Sequence, residues 1–250
     1  MSLFTMEGLQ LLLRWVHLLA GITWIGLLYY FNFVQVPYFG ETKTTVGTGE
    51  FRKLVGRALW WFRWGAMLTF LSGLAMFGAN MAAGIPAMGS WGVKISAGMT
   101  FGTLMFLNVW LIIWPKMQIV LASAESVAGG GAADPNAAPS AARGFLASRT
   151  NTLFSIPMLF FMGAAKHLDG LNAEGGMIGL TVVTVLALVF EANVIFGKKG
   201  EGLSKILETV PGVIHGGLAL AVVSYLAMEL TAPAAPVAPA SPVVDVGVHP

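Results

Sequence analysis

The sequence predicts an all-α integral membrane protein with about six transmembrane helices. Of its 250 residues, 56% are hydrophobic and only 10% are charged, whereas a soluble domain carries about a quarter charged residues. Apolar runs long enough to cross about 30 Å of hydrocarbon recur along the chain, and basic residues concentrate in alternate loops. The net charge of +2 gives no reason to expect a nucleic-acid partner. Membrane lipid is therefore the predicted environment.

Hydropathy and length define six candidate spans in chain order. Five are long apolar runs, whereas the fourth is short and contains Pro157, which frees backbone groups that must find partners inside the protein. The fourth segment is therefore predicted to be either covered by protein and functional or only interfacial, and we favour a sixth span. The candidates are Leu9–Val36, Leu59–Ala83, Val93–Trp114, Thr150–Ala165, Gly176–Phe196 and Leu207–Met228.

Lys and Arg positions predict the orientation, because positively charged loops stay cytoplasmic. The loops after spans one, three and five are basic and the opposite loops are nearly bare, so both termini are predicted outside a bacterial inner membrane. Residues 1–230 form the predicted membrane domain, and residues 231–250 a disordered, Pro/Ala-rich periplasmic tail. The segment Ala124–Arg143 is also predicted to be flexible.

Histidines inside spans are expensive and are functional-site hypotheses by default. His17 shares a helix face with Gly21 and Trp24, and His215 is followed by two glycines. A glycine beside an imidazole leaves a flat gap, and two such histidines could ligate one b-type haem from both sides. Alternatively, the glycines only permit close helix packing while each imidazole bonds to a neighbour. Spacing leaves both interpretations open.

Other polar residues within or beside the spans carry similar alternatives. Arg14 could pair with an anionic group or extend to the headgroups, and Glu191 could relay protons or pair with Arg63. His167, by spacing alone, is typical of the membrane interface. A cluster at the start of span four either lines a polar cavity or caps the helix and satisfies carbonyls near the proline; its members are Asn151, Thr152 and Ser155.

Three ordered blocks resemble the membrane domain of the bacterial membrane-bound urate hydroxylases (PuuD type). They are "RWVHLLAGITWIG" (Arg14–Gly26), "WWFRWGAMLTFLSG" (Trp60–Gly73) and "SRTNTLFSIPMLFFMGAAKH" (Ser148–His167). The resemblance implies oxidation of urate to 5-hydroxyisourate, with electrons leaving through a cytochrome c. In the family, a cytochrome c domain is fused at the C-terminus of the membrane domain. This chain has no cysteine to attach a c-type haem. The expected acceptor is therefore a separate cytochrome c.

The resemblance also assigns expected roles to residues of this chain. His17 and His167, which lie in the matching blocks, are expected to be ligands of haem b or of a metal near the outer side. His215 lies where the resemblance is weak, and its expected role as a second-site or alternative axial ligand rests on the glycines beside it. Substrate contacts or residues supporting them are expected among Arg14, Asn151, Thr152 and Ser155.

Two functions of other classes compete with this one. The chain could be a non-catalytic accessory subunit of a larger respiratory or photosynthetic membrane complex, in which the histidines pack helices. It could also handle ions or copper, although most methionines within spans are packing filler. The methionines that approach a cluster are Met76, Met81, Met99 and Met105.

Overall fold

The computed structural model describes residues 4–43, 51–168 and 173–231, and every regular element in these ranges is helical. The prediction of an all-α fold is confirmed. A short 3₁₀ turn, Gly202–Lys205, precedes the last helix. The six long helices are α1 (Met6–Thr42), α2 (Phe51–Ala82), α3 (Ser90–Ala128), α4 (Ala137–His167), α5 (Ala173–Phe196) and α6 (Val210–Thr231).

Five of these helices are long and apolar enough to cross a membrane, namely α1, α2, α3, α5 and α6. α4 is the exception because it carries many polar residues, and its buried positions run from Ser140 to Ala165. A helix that is surrounded by other helices needs no apolar face toward lipid. α4 is thus largely covered by protein, whereas its crossing of the membrane as a sixth span stays a prediction.

α1 and α3 each contain one turn of π-helix, Tyr30–Gln35 and Asn108–Ile113. A proline lies two residues after each turn, at Pro37 and Pro115. Proline donates no backbone N–H and crowds the carbonyl four residues earlier, and a π-turn widens the hydrogen-bonding ladder at that place. Both helices therefore continue past their prolines, beyond Val36 and Trp114, where spans one and three were predicted to end.

The segment Ala124–Arg143 is mostly ordered as helix, which corrects the prediction of flexibility. α3 continues to Ala128, and α4 begins at Ala137. The physical reason is the alanine content, because alanine has the highest helix propensity. The Arg143 side chain also donates to the backbone carbonyls of Val194 and Gly197. The predicted tail beyond Thr231 lies outside the described residues.

α4 occupies the centre of the bundle, where it packs against α1, α3, α5 and α6. α2 packs mainly against α1, and α3 also packs against α5. Fully buried apolar side chains fill the interior, including Leu28, Phe62, Phe101 and Phe154. We call the end of the bundle at which α1 finishes and α4 begins the basic end; it carries Arg52, Lys116, Arg143 and Lys199.

Candidate functional site

One face of α4 is joined to α1 by polar side chains. The Asn32 amide donates to Ser148 Oγ at 2.8 Å and to the Leu28 carbonyl at 2.9 Å. About two α4 turns further on, the Tyr29 hydroxyl lies 2.9 Å from Ser155 Oγ. These two contacts also show that α1 and α4 are antiparallel, because the residue number rises along one helix as it falls along the other.

A second face of α4 meets α3 and α5 through a buried cluster of two amides and a carboxylate. Asn108 Nδ2 donates to Asn151 Oδ1 and to Glu191 Oε2, both at 3.0 Å. Asn151 Nδ2 in turn donates to the Met105 carbonyl at 2.9 Å. Asn108 and Asn151 are fully buried, and Asn108 Oδ1 has no hydrogen-bond donor. We call Asn108, Asn151 and Glu191 the amide–carboxylate cluster.

The π-turns help to position both contacts, because Asn32 and Asn108 lie within them. A π-turn shifts the register of the side chains that follow it, and such turns are frequent at functional sites. In each case the asparagine points from an outer helix to the polar centre of α4. The two irregular turns therefore serve the same contact with the central helix.

The structure brings together three of the predicted site residues, Asn151, Thr152 and Ser155, all of them buried on α4. Their polar atoms are engaged inside the protein: Thr152 Oγ1 donates to the Ser148 carbonyl and Ser155 Oγ to that of Thr152. Sequence reasoning missed their partners on other helices. Asparagines within apolar runs were the available signal, and they are Asn32 and Asn108.

His17 lies half-buried between α1 and α2. Its Nδ1 is 3.1 Å from Ser72 Oγ, which donates to the Leu68 carbonyl at 2.6 Å. The ring packs so closely on Gly73 that a methyl group there would lie 3.1 Å from the imidazole. Gly21, on the same face of α1, lies against Thr69 of α2. The gap beside His17 is thus filled by a helix.

The other predicted residues lie at separate places. His215 is exposed on α6, and its neighbours Gly216 and Gly217 pack against Ile206 and α4, where Gly217 would carry a methyl group only 2.8 Å from the Leu153 carbonyl oxygen. His167 is exposed at the end of α4, and Arg14 is exposed on α1. None of these side chains reaches the amide–carboxylate cluster in the recorded hydrogen bonds.

The packing around His17 and His215 bears on the haem prediction. The spaces that the glycines beside His17 and His215 leave are occupied by helices α2 and α4. His17 lies on α1 and His215 on α6, and both of these helices pack against α4. Within the described ranges no three His, Asp or Glu side chains lie close enough to hold a metal ion. Haem or metal binding through His17 and His167 stays a prediction.

Arg63 packs on aromatic rings, and among the described residues it forms no ion pair with Glu191, its predicted partner. Its guanidinium carbon lies 3.8 Å from the centroid of Trp114 and 4.9 Å from that of Trp110, both on α3. Guanidinium groups are attracted to the faces of indole rings. Arg63 therefore joins α2 to α3 through an aromatic cage that also includes Trp64.

Comparison of the chain with protein-family models, with curated proteins and with solved structures finds no match.

Proposed function

We propose that this chain is a six-span oxidoreductase of the bacterial inner membrane, of the urate hydroxylase type, with both termini outside. The apolar helices and the basic loops support the membrane placement. Helix α4 would be the sixth span, held in the membrane by its neighbours. The three sequence blocks support the reaction class, and the third block is the central helix of the bundle.

The amide–carboxylate cluster carries the proposal. Buried polar groups are normally satisfied, yet Asn108 Oδ1 is a buried acceptor without a donor beside the Glu191 carboxylate. Urate is a planar molecule rich in N–H donors, which such acceptors would bind. The cluster is therefore the proposed substrate site, with Asn151 as a contact and Thr152 and Ser155 supporting the helix around it.

The proposed reaction is the hydroxylation of urate by water. Urate and one water give 5-hydroxyisourate, two protons and two electrons, with a new C–O bond at C5. Glu191 would accept one of these protons as the general base, because it is the carboxylate of the cluster and the Asn108 amide holds its Oε2 in place at 3.0 Å. The electrons reduce two molecules of oxidised cytochrome c, which is the proposed separate partner.

A urate-consumption assay tests this proposal. Membranes containing the chain, given urate and oxidised cytochrome c, are expected to lose urate absorbance and to form two reduced cytochromes for each urate. Glu191→Gln is expected to slow urate loss at least about a hundredfold, which is the lower range for removal of a general base. Glu208→Gln, at an exposed carboxylate outside the cluster, is the matched control. No urate loss with folded wild-type protein would refute the proposal.

A second candidate is a non-catalytic accessory subunit of a larger respiratory or photosynthetic complex. It is favoured by His17, whose imidazole bonds to Ser72 and packs on Gly73 as a helix-packing residue does. Co-purification with a larger complex at fixed stoichiometry, without urate consumption, would support this alternative. Urate turnover by the isolated chain with cytochrome c would contradict it.

A further inference from the structure

We propose that Arg149 is the anchor of a phosphate-binding site at the basic end of the bundle, separate from the amide–carboxylate cluster. Arg149 is only 2% exposed, and its Nε and Nη1 atoms are buried without any hydrogen-bond partner. A buried charge without a partner is among the most costly arrangements in a protein. The energetic deficit is removed if an anion binds there.

No carboxylate of the described chain supplies that anion. The one salt bridge recorded among the described residues joins Arg52 to Glu125, on α2 and α3. Glu201 and Glu208, in the segment between α5 and α6, are exposed and form no ion pair with Arg149. Glu191 is held by the Asn108 amide on another face of α4. Within residues 4–43, 51–168 and 173–231, therefore, no carboxylate neutralises Arg149, and we assign that role to a ligand.

The surroundings of Arg149 suit an anion that enters from the basic end. The guanidinium carbon lies 5.1 Å from the ring centroid of Phe145, one turn nearer that end, as expected for a long side chain leaning toward the start of its helix. The Lys199 ammonium lies 4.8 Å from the same centroid. Two cations are thus held on one aromatic ring, one buried and one exposed.

Two further buried donors without partners lie at a similar level of the bundle. Thr150 Oγ1 is adjacent in sequence to Arg149, and Asn193 Nδ2 is on α5. On α5, the Val194 carbonyl accepts a hydrogen bond from Arg143, and Glu191 is linked to Asn151 through Asn108. Asn193 therefore lies between the level of Arg143 and the level of Asn151. Arg149 and Asn193 present unsatisfied N–H donors, and the Thr150 hydroxyl is able to donate as well, which favours an anionic ligand over a cation.

The ligand chemistry is a phosphate group, from an anionic phospholipid headgroup or from free phosphate. The planar guanidinium presents paired N–H donors that match two phosphate oxygens. Basic pockets between transmembrane helices on the cytoplasmic side are typical phospholipid headgroup sites, and the segment after α5 adds Lys198, Lys199 and Lys205. Both sources would place a phosphate against Arg149.

The first experiment measures phospholipid bound to the purified full chain by native mass spectrometry. Wild type and Arg57→Gln, which removes an exposed arginine outside the site, are expected to retain phospholipid. Arg149→Gln is expected to retain about tenfold less, the effect of losing one charge-assisted contact. Arg149→Lys, which keeps the charge but loses the fork, is expected to fall between them.

The second experiment uses delipidated wild-type protein and therefore does not depend on a variant that folds. Thermal unfolding is followed with phosphatidylglycerol against phosphatidylcholine, and with inorganic phosphate against chloride at equal ionic strength. A higher unfolding temperature with phosphatidylglycerol alone identifies the lipid headgroup, and one with inorganic phosphate identifies free phosphate. If neither probe raises the unfolding temperature, or if Arg149→Gln responds as fully as wild type, the site does not exist.

Discussion

Replacing Asn108 with leucine tests whether the amide–carboxylate cluster holds the bundle together. The substitution conserves the shape of the side chain closely but removes the amide that donates to Asn151 and to Glu191. Both acceptors then lose this hydrogen bond inside the bundle. Hydrogen bonds between membrane helices contribute about 0.6 kcal/mol on average and up to about 1.7 kcal/mol. Assigning the larger value to the carboxylate and the average to the amide gives a loss of about 2 kcal/mol of unfolding free energy.

For a chain of this size a loss of 1 kcal/mol lowers the unfolding temperature by about 2–4 °C. Asn108→Leu is therefore expected to unfold about 4–8 °C below wild type in the same detergent. Asn80→Leu is the matched control, because Asn80 accepts one bond from Gln10 at 3.3 Å at a partly exposed position. Its expected shift is at most about 2 °C, from a single bond of average strength.

A double-mutant cycle with Glu191→Leu isolates the bond between the two side chains. A coupling free energy of about 1.7 kcal/mol between Asn108 and Glu191 is expected, the value assigned to this bond above, since residues in one hydrogen-bond network are not additive. The cluster adds no specific stability if Asn108→Leu unfolds at the wild-type temperature. The same conclusion follows if Asn80→Leu lowers the unfolding temperature as much as Asn108→Leu does.

Three further tests concern the packing, the first of them with a matched control. Gly217→Ala would place a methyl group 2.8 Å from the Leu153 carbonyl oxygen, so we expect it to lower the free energy of unfolding by about 1–3 kcal/mol. The control, Gly163→Ala, has nothing within 4 Å and should raise that free energy by up to about 1 kcal/mol. Equal shifts of the unfolding temperature in the two variants would contradict this. Arg63→Gln removes the cation from three indole rings. We expect it to change tryptophan fluorescence emission and to lower the free energy of unfolding by about 1 kcal/mol. Unchanged emission would argue against the cage. Arg143→Gln should speed hydrogen exchange at the end of α5, because two carbonyls lose their donor; unaltered exchange there would exclude this role.

Composition and hydropathy were sufficient to predict the all-α fold and five apolar helices, because each of those helices has a lipid-facing surface that must be apolar. They were less informative about α4. Its polar residues, such as Arg149 and Asn151, are buried by other helices, so hydropathy alone cannot distinguish it from an interfacial segment. The π-turns before Pro37 and Pro115 were missed because a proline in an apolar run normally predicts a helix end.

The candidate site was predictable in part. Asn151, Thr152 and Ser155 were identified as an unusual polar group near Pro157, and all three are buried on α4. Their partners could not be predicted, because Asn151 bonds to a residue 43 positions away. For His17, a glycine one turn along the helix was equally compatible with a cofactor and with a packed neighbour. The bond to Ser72, 55 positions away, is visible only once α1 and α2 are placed side by side.

The polar character of α4 has a consequence for how the protein is made. Ionisable and polar residues within a membrane helix are costly, and α4 carries Arg149 together with several asparagine, serine and threonine side chains. As an isolated helix emerging from the ribosome, this segment would partition poorly into lipid. Biogenesis should therefore retain α4 beside the insertion machinery until earlier helices offer their amide and hydroxyl groups, so that membrane integration and tertiary folding become one event for this part of the chain.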